Sequence, residues 1–172
     1  MTVGGRKKMK KDRIFQETLQ EKNQRQKTVI ARILKCKFKK EFKSVRILLG
    51  EQFFVVDLMS NDDKITVKII NPRRTSHGKI SPGKFQHILS AILLLSAIDS
   101  ERKLLIFTNK MMYQKFYRII KTMPSLIRDT IQGIEIAWIP LSNEFDNDEY
   151  SEPRTDFKIN EGSLNQIREN KK

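Results

Sequence analysis

Residues 53–70 read FFVVDLMSNDDKITVKII, two apolar runs joined by a polar turn. Phe53, Phe54, Val55 and Val56 favour strands, Ser60, Asn61, Asp62 and Asp63 are turn formers, and residues 65–70 resume strand composition. The pattern predicts a β-hairpin. Each run carries one charge among apolar neighbours, Asp57 in the first and Lys68 in the second. A buried ionised side chain costs several kcal/mol unless it is paired or bound to a metal. Asp57 and Lys68 therefore either face solvent on an open side of the hairpin, pair with each other, or form a site.

On the N-terminal side, composition is helical from Asp12, a candidate N-cap, to about Phe42. Ile14, Phe15, Thr18 and Leu19 form one apolar stripe; Val29, Ile30, Ile33, Leu34 and Phe38 form a second at i, i+3, i+4 spacing. Residues 20–27 between them read either as exposed helix or as a break. Around the second stripe, Arg32, Lys35, Lys37, Lys39, Lys40 and Lys43 leave the other faces basic, with Phe38 and Phe42 interleaved. Strands are expected over 45–49, 52–59 and 64–70, with Gly50-Glu51 as the first turn. Pro72 ends the third, since proline has no N–H to donate to a ladder.

On the C-terminal side, residues 73–83 form a loop carrying Arg73, Arg74, His77 and Lys79. Ser81 or Pro82 opens a helix that Phe85, Ile88, Leu89, Ile92, Leu93 and Leu95 make apolar almost all round, which predicts burial. KLLIFT at 103–108 is a buried strand, and 111–123 an amphipathic helix broken at Pro124. After a further turn through Leu126 and Ile127, Gly133 precedes the last strand, IEIAWI at 134–139. The expected fold is α/β: a mixed β-sheet with flanking helices in the order α-β-β-β-α-β-α-β, as one domain over 12–141. Residues 1–11 are expected to be a disordered basic arm, and 142–172 an acidic, largely disordered tail.

The chain has 172 residues and a formal net charge of +14. Residues 1–44 carry 15 Lys/Arg against 4 Asp/Glu, whereas residues 142–172 carry 5 against 8. Polycations bind phosphate backbones through counterion release without reading sequence, so nucleic acid is the leading partner. The candidate contacts are Arg6, Lys7, Lys8, Lys10, Lys11, Arg32, Lys35, Lys39, Lys40, Arg73, Arg74 and Lys79. Phosphate contacts do not separate DNA from RNA.

Other classes find no support. The longest apolar run, 88–98, is too short to span a bilayer, and no apolar stretch follows the basic start, so neither a membrane segment nor a secretory signal is expected. A single cysteine, Cys36, excludes an internal disulfide and cysteine-rich zinc sites, and suits a reducing intracellular compartment, cytoplasm or nucleus or nucleoid. There is no phosphate-binding glycine loop, HExxH or nucleophile elbow. The acids Glu144, Asp146, Asp148, Glu149 and Glu152 lack the ligand order of a calcium loop.

The element order, with Asp57 in VVDLM and Lys68 in ITVKI, resembles the core of the PD-(D/E)XK nuclease superfamily, the restriction-endonuclease-like fold. There, a strand carries an aspartate after a hydrophobic run and the next carries an acid, any residue, then a lysine. Here Thr66 takes the acid's place and Val56 that of the usual proline. Gln86 matches a glutamine found in some relatives, with Ser90 where their tyrosine stands. The resemblance implies magnesium held in part by Asp57, with Lys68 orienting the attacking water. A second acid would come from Glu17, Glu21 or Glu41 on the first helix, or from Glu51, Asp62 or Asp63 near the hairpin. With the decisive acid replaced, the expected function is non-catalytic nucleic-acid binding inside a larger assembly with protein partners and no cofactor. The alternatives are a magnesium-dependent endonuclease with an altered acid set, and an interaction subunit whose basic head docks on an acidic protein.

Overall fold

The computed structural model describes residues 5–72 and 80–141, with side chains from Gln20 onward. Arg6, Lys7, Lys8, Lys10 and Lys11 are thus seen as backbone only, and Arg73, Arg74, His77, Lys79 and the acidic tail lie outside the described residues.

The first helix, α1, spans Gly5–Phe38, 34 residues without a break. The expected disordered arm is helical from Gly5, and residues 20–27 continue the helix. No glycine or proline falls between Arg6 and Phe38, and lysine, arginine, glutamine, glutamate and methionine are good helix formers whose backbone bonds close within the helix itself. The helix stops four residues before the expected Phe42. Lys39 adopts a left-handed φ of 57° with its N–H bonded to the Lys35 carbonyl at 2.8 Å, and this turns the chain out of the helix. Phe42 is accordingly the first residue of a strand rather than part of a basic helix face, its ring 6.3 Å from that of Phe38.

The strands are β1 (Phe42–Leu49), β2 (Gln52–Ser60), β3 (Ile65–Ile70), β4 (Arg102–Phe107) and β5 (Glu135–Trp138). They form one sheet in sequence order, antiparallel from β1 to β3 and parallel from β3 to β5. The helices α2 (Pro82–Ala97), α3 (Lys110–Thr122) and α4 (Ser125–Ile131) fill the crossovers. Ser81 caps α2 through the Lys84 N–H, and Asn109 caps α3 through that of Met112 at 2.9 Å. The expected α/β class, with a mixed sheet and flanking helices, is therefore what the chain forms.

Strand alternation divides the core in two. Ile65, Val67, Ile69, Leu104 and Ile106 meet Ile30, Ile33 and Leu34 of α1 on one face. Ile70, Leu105 and Phe107 meet Ile88, Ile92 and Leu95 of α2 and Met112, Phe116 and Ile120 of α3 on the other. Residues 104–107 of β4 are buried on both sides, which explains their unbroken apolar sequence. One expectation for α2 changes: it is not buried all round. Gln86, Ser90, Leu93 and Ala97 face outward, because α2 packs on the outer side of the sheet with only one face against it.

Candidate functional site

The site is built where two departures from regular pairing coincide. Along β1 and β2, Val45 pairs with Val56 but Lys43 pairs with Met59, so β2 holds one extra residue opposite Ser44. This is a β-bulge at Asp57 and Leu58, and bulges re-aim side chains. The register therefore leaves Val56 and Met59, three apart, on the same side of the strand, packed with Ile98. On the other edge of β2, regular pairing with β3 is confined to Leu58 with Val67 and Met59 with Thr66. Beyond those pairs Asp57 fills the gap: its Oδ2 accepts the Ile69 N–H at 2.9 Å in place of a backbone carbonyl.

Two ammonium groups close on this carboxylate. Lys27 Nζ from α1 lies 2.9 Å from Oδ1, and Lys68 Nζ from β3 lies 3.2 Å from Oδ2 while also donating to the Val55 carbonyl at 3.2 Å. The side chains of Asp57 and Lys68 are each only 14% exposed, so the pair is poorly screened. Burial pushes the Asp57 carboxyl up, but the Lys68 charge, the Ile69 N–H and the Lys27 hydrogen bond and charge together hold it below its ordinary value. The clasp is thus a fixed anion between two fixed cations.

The remaining candidates are elsewhere. Thr66 is buried, with its hydroxyl bonded to Ser100 rather than to Asp57. Glu41 pairs with Lys35, and Asp62 with Lys40 at 2.5 Å. The Lys40 hydrogen bond, with one from Ser60, lowers Asp62 to about 2. Glu21, Glu51 and Asp63 are exposed, and the Glu17 side chain is not among those described. No group of three or more His, Cys, Asp or Glu side chains among the described residues is placed to hold a metal ion. Asp57 alone would offer magnesium one carboxylate already shared by two lysines.

Of the expected cationic contacts, Arg32 and Lys39 are exposed, whereas Lys35 and Lys40 are engaged by Glu41 and Asp62. Exposed Arg25 shares an outward stripe of α1 with Arg32, seven residues on, and Lys43 and Arg46 are exposed on β1. Lys27 is the participant that sequence reasoning missed. It lies in a polar stretch with nothing local to mark it, and only the packing of α1 over β2 brings it to Asp57.

Comparison of the chain with protein-family models, curated proteins and solved structures finds no match. No helix among the described residues is long and apolar enough to cross a membrane.

Proposed function

We propose that this chain is an intracellular nucleic-acid-binding protein on a nuclease-like scaffold, non-catalytic, and working inside a larger assembly with protein partners. The observation that carries the reading is the set of exposed cations, Arg25 and Arg32 along α1, then Lys39, Lys43 and Arg46. All of these but Arg46 belong to residues 1–44, the part of the sequence with the greatest excess of cations, in a chain of net charge +14. Such a surface attracts a phosphate backbone by counterion release.

The scaffold part of the reading rests on the order helix, three strands, helix, strand, two helices, strand and on Asp57 and Lys68 meeting at the irregular stretch of β2 and β3. The non-catalytic part of the reading is supported by the surroundings of Asp57. Its oxygens already accept from Lys27, Lys68 and the Ile69 N–H, and Thr66 brings no charge to the place of a second carboxylate.

The test is binding of labelled DNA and RNA duplexes and single strands across a salt series, with magnesium present. Binding that weakens steeply with salt, without cleavage, is expected. Magnesium-dependent cleavage abolished by both Asp57→Ala and Lys68→Ala would replace this reading with that of a nuclease using an altered acid set. Indifference to competing nucleic acid, with tight binding to an acidic protein, would move it to an interaction subunit.

A further inference from the structure

The distal half of the β1–β2 hairpin is apolar on both faces and open to solvent. Phe53 is 73% exposed, Phe54 39%, Val55 48% and Leu48 56%. Consecutive strand residues point to opposite faces, so the two phenylalanines place a ring on each side of the ribbon. Regular pairing of β2 with β3 is confined to Leu58 and Met59, so the ladder to β3 does not run alongside this part of the ribbon. Isolated exposed apolar residues are ordinary, but four together on one ribbon mark a contact surface.

The chemistry around this patch selects its occupant. Lys43 and Arg46 are exposed on the same ribbon, Lys27 and Lys68 lie near its base, and of the two acids on the hairpin Asp57 is already paired with those two lysines, which leaves Glu51 at the turn. A second copy of the chain would bring another net charge of +14 against these cations, which repulsion opposes. A nucleic acid supplies the missing negative charge. The exposed tip side chains Leu48, Phe53, Phe54 and Val55 have no donors or acceptors for reading base edges in a groove, whereas aromatic rings stack on the faces of bases that are free of a partner.

We propose that the β1–β2 hairpin is a two-sided stacking platform for unpaired bases of a single-stranded nucleic acid, with Phe53 taking a base on the face that carries Arg46, Phe54 a base on the face that carries Lys43, and the two cations the flanking phosphates. The inference rests on the nucleic-acid reading above and narrows it to single strands.

The experiment measures, at low salt and with the full chain, affinity for three labelled oligonucleotides: a single strand, its matched duplex and an abasic single strand of equal length. Wild type is expected to prefer the base-bearing single strand to the abasic one. Phe53→Ala with Phe54→Ala weakens single-strand binding by about tenfold per ring, leaves duplex and abasic binding unchanged, and is reversed by tryptophan at both positions. In Phe53→Trp alone, indole emission is quenched by the single strand and not by the duplex, a readout in a chain that keeps its apolar surface. Equal single-strand affinity for wild type and the double alanine variant overturns the platform while leaving nucleic-acid binding in place. Failure of wild type to bind any of the three removes both readings. A dimer in sedimentation that the double alanine change dissolves assigns the ribbon to a second copy and also overturns the proposal.

Discussion

Replacing the Asp57 carboxylate by an amide leaves Lys27 and Lys68 facing each other across a poorly hydrated gap. Asp57→Asn is expected to lower the unfolding free energy by about 2 kcal/mol at neutral pH, read from urea denaturation, because it strands two partly buried cations. The acid limb of the stability profile should report the same contact. The folded-state carboxyl titrates below its ordinary value of 3.8, so on acidification the unfolded chain takes up the proton first. The stabilisation is therefore complete above that value and is lost as pH falls through the depressed one. The difference between wild type and Asp57→Asn should shrink steadily below about pH 4; a constant difference would mean that the charge contributes nothing. At this scale, the sequence singled out Asp57 and Lys68 and allowed that they pair. Their meeting depends on the bulge, which no parity count along β2 reveals, since the extra residue is defined only against β1.

The hairpin turn is an element whose conformation was legible. Gly50 follows Leu49, pairs nothing, and has a φ of 62°, the positive value that a type II′ turn places on its first central residue. A Cβ there would meet nothing within 4 Å, so Gly50→Ala should cost only the left-handed strain, about 1 kcal/mol, seen as a lower melting temperature without loss of the sheet. A substantially larger loss would show that the turn is constrained by more than its φ. Helix and strand positions were readable for the same reason, because period and turn residues act locally. The exposed face of α2 was not, since Leu93 is as apolar as its buried neighbours and only the lack of a second packing partner among the described residues leaves it outside. The helical start of α1 was misread by weighing its lack of apolar residues above their propensity, although a helix satisfies its backbone bonds without a core.

For the molecule as a whole, the proposed phosphate contacts can be counted. Each contact to duplex DNA contributes roughly 0.9 to the slope of log affinity against log salt, so Arg25→Gln, Arg32→Gln and Lys39→Gln together should flatten that slope by about 2 to 3. An unchanged slope would take these side chains out of the interface. The charge imbalance behind this prediction was evident in the sequence, but which cations are exposed was not: Lys35 and Lys40 are held by Glu41 and Asp62, acids 6 and 22 residues away.

The change from antiparallel to parallel pairing at β3 also orders assembly in time. The β1–β2 hairpin closes across two residues, on the order of microseconds. β4 reaches β3 only after the chain has passed through α2, a non-local closure that is slower. Docking of β4 should thus be the slow event in refolding: stopped-flow measurements on Leu105→Ala should show slower folding, and Gly50→Ala should slow it too, because a turn already closed at the barrier carries its strain there; an unchanged refolding rate with faster unfolding would place closure of the turn after the barrier. The measured partition of the Gly50 effect between the two rates would place the hairpin before or after the docking of β4.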